Sequence, residues 1–136
     1  MNRQDLQNLA LIRLREAEVL LNNNQYSGAY YLSGYVVECA LKACIAKRTQ
    51  QYDFPEKKIV DDSYTHDLTK LVRSAGLEIN LQFRRSDPDF DPKWSVIKDW
   101  SEKSRYKEHS EQKARDIYSA ITDPNHGVLQ WLQQHW

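Results

Sequence analysis

The sequence predicts an all-α fold, an antiparallel up-and-down bundle of four or five helices with a short one docked at an end. Three observations predict it. Only four glycines and four prolines occur in 136 residues, and the long segments are poor in both. Apolar residues recur at three- and four-residue steps, the period of a helix face. No segment sustains the two-residue alternation of a half-buried strand. A chain of this length is read as one domain, residues 1–136.

The first helix is expected from about Arg3 to Asn23. Leu6, Leu9, Ile12, Leu14, Ala17, Leu20 and Leu21 make its apolar stripe, and Arg13, Arg15, Glu16 and Glu18 fill other positions. The run "NNNQ" ends it. The second helix, "YSGAYYLSGYVVECALKACIAKR", runs from about Tyr26 to Arg48 and closes on Lys47 and Arg48, which suit a helix C-terminus. Gly28 and Gly34 each lower its propensity by up to ~1 kcal/mol relative to Ala, and fit where another helix packs closely. Residues 49 to 62 form a polar linker containing Pro55. "SYTHDLTKLVRSAG" is a short third helix, with Ser63 or Thr65 as N-cap and Gly76 as its stop. Residues 77 to 92, with "SDPDFDP", are expected to be a turn-rich linker. A helix reopens after Pro92 with Trp94, Ile97 and Trp100 on nearby faces. Another runs from about Glu108 to Ile121. A last one restarts with Asp123 as N-cap and Pro124 at the first helical position.

The bulk composition excludes some functions. Lys+Arg and Asp+Glu number 19 each, so the net charge is zero. A dedicated binder of duplex nucleic acid usually shows a basic surplus. No apolar run approaches the roughly 18–20 residues of a membrane span, and the N-terminus has no signal-peptide pattern. Cys39 and Cys44 lie about 140° apart around one helix, a poor geometry for a disulfide. They are read as reduced core thiols in a cytoplasmic protein. The four histidines and two cysteines give no metal-ligand spacing, so neither a metal nor a cofactor is expected.

The order of the segments carries a resemblance. "AYYLSGYVVECALKACIAK", "THDLTKLVRSAG", "SRYKEHSEQKARDIYSAI" and "VLQWLQQHW" together resemble the HEPN family, the higher-eukaryote and prokaryote nucleotide-binding domain, over about Leu6 to Trp136. The second helix is the most specific part, with a small-residue face, Glu38 and the pair Leu41–Lys42. The resemblance implies a helical bundle that dimerises, with its site at the dimer interface. Many members are metal-independent ribonucleases in toxin–antitoxin or phage-defence systems. Others lack nuclease activity and work beside a minimal nucleotidyltransferase. The nuclease members carry an arginine followed, after four to six residues, by a histidine. The match here is Arg105 and His109, with three residues between them. The spacing is one short of that pattern, which opposes cleavage.

The residue types suit phosphate chemistry. Histidine moves a proton near neutrality, and the arginine fork holds two phosphate oxygens while staying charged. In a regular helix Arg105 and His109 fall one turn apart on one face. If the helix begins at His109 instead, Arg105 sits in a loop. The structural alternative pairs Arg105 with Glu38, Glu102 or Glu108 and leaves His109 at an exposed helix start. Tyr106 either stacks on a base or fills an interface. Glu38 lies in the largely apolar run Val36–Cys44, so it needs a partner, Arg105 or Lys42. Its functional alternative is to orient Arg105 toward a phosphate.

Two function classes follow. One is a dimeric nucleotide- or RNA-associated module beside a nucleotidyltransferase; the other is a ribonuclease toxin using Arg105 and His109. A purely structural dimer is the third reading. His66–Asp67 lacks the further ligands of a metal phosphohydrolase, and Asp67 more simply favours a helix N-terminus. "KRTQQYDFPEKK" and Arg84–Arg85, near Tyr52, Phe54 and Phe83, are either solvated basic patches or single-stranded RNA contacts. Trp131 is expected inside the bundle and Trp136 partly exposed or at an interface.

Overall fold

The computed structural model describes residues 1–50 and 64–136. The described residues form α1 (Arg3–Asn22), α2 (Tyr26–Gln50), α3 (Leu68–Ser74), α4 (Glu78–Arg84), α5 (Asp91–Ile97), α6 (Glu111–Thr122) and α7 (Val128–Gln133). A 3-10 helix, η1 (Glu102–Tyr106), lies between α5 and α6. Among the described residues there is no strand, as the absence of alternation required. Ser63, Pro55, Tyr52 and Phe54, named above, lie outside the described residues.

Asn2 starts α1 with a capping box. Its side chain accepts the Asp5 N–H at 2.8 Å, and the Asp5 carboxylate accepts the Asn2 N–H at 3.1 Å. The "NNNQ" stop works through Asn24, which takes a left-handed φ of 61°. Asn tolerates that conformation because its short polar side chain bonds locally. The Gln25 N–H then returns to the Leu20 carbonyl at 2.8 Å. So short a connection folds α2 back antiparallel along α1.

α2 is the central helix. α1, α3, α6, α7 and η1 all pack on it. That explains why its second half is apolar nearly all round: Val36, Val37, Cys39, Ala40, Leu41, Ala43, Cys44 and Ile45 are all buried. Both cysteines are free, and burial pushes each thiol up to about 12. They are therefore neutral core groups, and the Cys44 thiol faces the Leu132 carbonyl at 3.7 Å.

Four boundaries differ from the sequence expectation. The cap of α3 is Asp67, which accepts the Lys70 N–H at 3.1 Å, while Thr65 instead accepts the Asp67 N–H. Gly76 does stop α3, at φ 73°, with the Leu77 N–H on the Val72 carbonyl. Residues 77–92 are not all linker. Glu78–Arg84 is helical because Leu77 and Leu81 are buried and Asn80 is held by the Trp131 indole at 2.7 Å. α6 begins at Glu111, not Glu108, since Ser110 caps it by accepting the Lys113 N–H. Asp123 caps a turn rather than a helix. It accepts the Asn125 and His126 N–H groups at 2.9 Å each, and α7 starts only after Gly127.

Trp131 is fully buried, with Phe90 and Trp94 edge-on to it at 5.6 and 6.2 Å between ring centres. Trp136 is half-buried and its carbonyl accepts from Arg3.

Candidate functional site: an aromatic face on the central helix

The first half of α2 carries tyrosines at 26, 30, 31 and 35. Four-residue steps place Tyr31 and Tyr35 on one stripe, with Glu38 and Lys42 continuing it, and Tyr26 and Tyr30 on the stripe beside. All four tyrosines are half-buried, so their rings form the floor of a surface. The segment between α5 and α6 is laid over this floor.

Trp100 anchors that segment. Its ring stacks on Tyr31 at 6.0 Å and meets Tyr35 edge-on at 6.5 Å. Gly34 makes the approach possible, since a Cβ there would sit 2.2 Å from the indole. The Trp100 indole N–H is buried and has no hydrogen-bond partner among the described residues. Ser104, in η1, is buried, and its hydroxyl donates to the Ser101 carbonyl at 2.6 Å.

Arg105 and His109 do not share a helical face. η1 ends at Tyr106, Lys107 is extended, and α6 starts two residues after His109. The chain instead drops each residue onto its own tyrosine region. The His109 ring stacks on Tyr30 at 4.0 Å and 22°. Its Nε2 lies 3.2 Å from the Ser104 carbonyl, which can only accept, so Nε2 is the donor there. Its backbone N–H donates to the Ser27 hydroxyl at 2.8 Å. His109 is thus half-buried and tied down, not an exposed helix start.

The Arg105 guanidinium is exposed and lies 4.8 Å from the centre of the Tyr106 ring, which is 77% exposed. The Tyr106 phenol, and less strongly that of Tyr31, favours the cation and raises its pKa further. Among the described residues no carboxylate pairs with Arg105. The expected pairings with Glu38, Glu102 and Glu108 are therefore not made, because η1 turns the guanidinium onto tyrosine rings. Tyr106 fills no interface within the chain.

Glu38 is 1% exposed and has two partners. Lys42, half-buried one turn on, lies 3.6 Å from its carboxylate, one of the two pairings expected. The other partner is His66, not Arg105: His66 Nδ1 lies 2.8 Å from Glu38. The opposite ring nitrogen lies 3.1 Å from Glu102, at the start of η1. The sequence weighs His66–Asp67 only as a metal motif and sets it aside, and its spacing does not by itself mark Tyr30, Tyr31 and Trp100 as a floor. The signal available was the four-residue tyrosine spacing beside Gly34.

A second polar cluster lies elsewhere. Asp87, Asp89 and His126 place one ligand atom each within 4.8 Å of one another. Their bonding is internal: His126 faces Asp87 at 3.2 Å and Asp89 at 3.7 Å. The Asp89 backbone N–H, then His126, lowers the Asp87 pKa. Arg84 lies over Phe90, and Arg85 pairs with Asp91 at 2.6 Å, so the two-arginine patch is largely engaged within the chain.

The fold is a helical bundle whose central helix presents tyrosines to a cation-bearing crossover. The chain belongs to the HEPN family: the HEPN domain model matches residues 4–134. Membership supports a nucleotide- or RNA-associated module, and HEPN domains commonly dimerise. No curated protein and no solved structure matches the chain. Among the described residues, no helix is long and apolar enough to cross a membrane.

Proposed function

We propose that this chain is a dimeric HEPN module that binds single-stranded RNA or nucleotide without cleaving it, beside a minimal nucleotidyltransferase in a toxin–antitoxin or defence setting. One observation carries the binding part. Arg105 and Tyr106 together present an exposed cation against an exposed aromatic face, with no carboxylate from the described residues on the guanidinium. Such a pair binds a phosphate and stacks a base without reading its sequence. A local pair of this kind is compatible with zero net charge, whereas a duplex footprint is not.

The same geometry disfavours cleavage. General acid–base work needs a nitrogen within about 2.6–3.2 Å of the reacting proton. His109 has Nε2 committed to Ser104 and its ring face committed to Tyr30, and Arg105 leans toward Tyr106. The ribonuclease reading draws on one specific feature: Nδ1 of His109 has no hydrogen-bond partner among the described residues. Partner and dimer rest on family membership alone.

The test is to incubate the protein and His109→Ala with single-stranded RNA in EDTA and run native and denaturing gels. A retarded band on the native gel with intact RNA on the denaturing gel, for both proteins, is expected. Cleavage by the parent chain that His109→Ala abolishes establishes the ribonuclease instead. No retardation and no cleavage leaves a structural dimer.

A further inference from the structure

We infer that His66 is a positioning residue: as an imidazolium it clamps the start of η1 to α2 by donating to Glu102 and Glu38 at once. The two carboxylate contacts of the ring are geometry; the clamp's effect on ligand affinity rests on the reading above.

A neutral imidazole has one N–H, and carboxylates only accept. His66 has a carboxylate at each nitrogen, 2.8 Å from Glu38 and 3.1 Å from Glu102. Both hydrogen bonds form together only when both nitrogens are protonated. The Glu38 end is fixed: it is buried on the central helix, and a buried carboxylate without partners is costly. The Glu102 end belongs to the segment that carries Arg105 and Tyr106. Among the described residues, Glu102–His66 is the one ion pair joining η1 to the rest of the chain. The other ties of this segment are Ser104 to Ser101, His109 to Ser104, the His109 N–H to the Ser27 hydroxyl on α2, and the Trp100 and His109 rings on their tyrosines.

His66 is positioned to exchange its proton with water. Its side chain is 38% exposed, as Glu102's is 37%, beside an open cleft of about 380 Å³. The charged groups around it are balanced. α2 offers Glu38 and Lys42, the loop before α3 offers Asp67, the residues leading into η1 offer Lys98 and Asp99, and η1 itself offers Glu102 and Lys103. Four carboxylates and three lysines therefore surround the ring. Across the pH range in which imidazole titrates, about 5 to 8, the clamp is closed at the acid side. One of its two hydrogen bonds is lost at the alkaline side, and the Glu102 end is the one free to move.

The test uses the whole chain without RNA, so it does not depend on the binding reading. Amide signals of residues 102–106 are followed by NMR across that range with the His66 and His109 ring signals. The η1 amides are expected to shift in step with His66, and the buried Trp131 indole N–H is not. In Glu102→Gln, His66 still titrates and the η1 amides cease to follow it. His66→Ala should remove the titration too; if Glu38, left with Lys42 alone, prevents folding, Glu102→Gln alone decides. Amides that follow His109 instead, that do not titrate, or that titrate unchanged in Glu102→Gln overturn the clamp.

Discussion

Trp131 and Trp100 each centre an aromatic cluster, and they differ in what lies outside them. Trp131 is enclosed by Phe90 and Trp94, and its N–H donates to Asn80 at 2.7 Å. Trp100 is equally buried, but its N–H has no partner among the described residues, and the segment after it ends in the exposed pair Arg105–Tyr106. One cluster closes helices into a core. The other pins a crossover onto a tyrosine floor and leaves its outer edge open. The aromatic residues are similar in both; the difference lies in satisfied polar atoms and covered faces, and it separates stability from recognition.

Breaking the closed cluster should have the largest effect. Trp131→Ala removes a fully buried ring and is expected to cost about 3–5 kcal/mol, read by urea denaturation. Next, Gly34→Ala forces a Cβ into the Trp100 indole. Overpacking of this kind costs about 1–3 kcal/mol, and the Trp100 indole signal should move while that of Trp131 stays. Asn80→Ala strands the Trp131 N–H and is expected to cost ~1–3 kcal/mol by the same denaturation. The smallest effect on stability belongs to the open edge. Arg105→Ala and Tyr106→Ala should each stay within about 0.5 kcal/mol of the parent chain. If either unfolds the chain, the open edge is part of the core and the contrast fails.

The helices were legible where the period is long. α1 and α2 show several turns of spacing, and their ends are marked by Asn24 and by Lys47 and Arg48. α4 was hidden because seven residues span barely two turns, and its stabilising contact, Asn80 to Trp131, is 51 positions away. Asp123 and Pro124 do not open a helix as their residue types suggest: Asp123 caps a turn, and the last helix starts only after Gly127, where a Cβ would meet the Asp123 carbonyl at 2.3 Å. The site was less legible than the fold. Glu38 announced its need for a partner by its apolar surroundings, and Lys42, one turn away, was visible in the spacing. His66 is 28 positions off, and only the packing of α3 against α2 brings it there. The register of Arg105 and His109 was undecidable from spacing, because η1 is a 3-10 turn followed by extended residues rather than the start of α6.

Recognition is placed at the open edge, and another part of the chain offers the control. Phe83 is 76% exposed beside Arg84 and Arg85, but those arginines are engaged with Phe90 and Asp91. The direct measurement is the affinity of a labelled short single-stranded RNA for the parent chain, Arg105→Ala, Tyr106→Ala and Phe83→Ala, by fluorescence anisotropy in EDTA. A stacked base is worth about 1–3 kcal/mol, so Tyr106→Ala should weaken binding roughly 5- to 150-fold. Arg105→Ala should also weaken it and flatten its salt dependence, and Phe83→Ala should leave it unchanged. Equal affinity in all four proteins, or a loss confined to Phe83→Ala, would contradict the account.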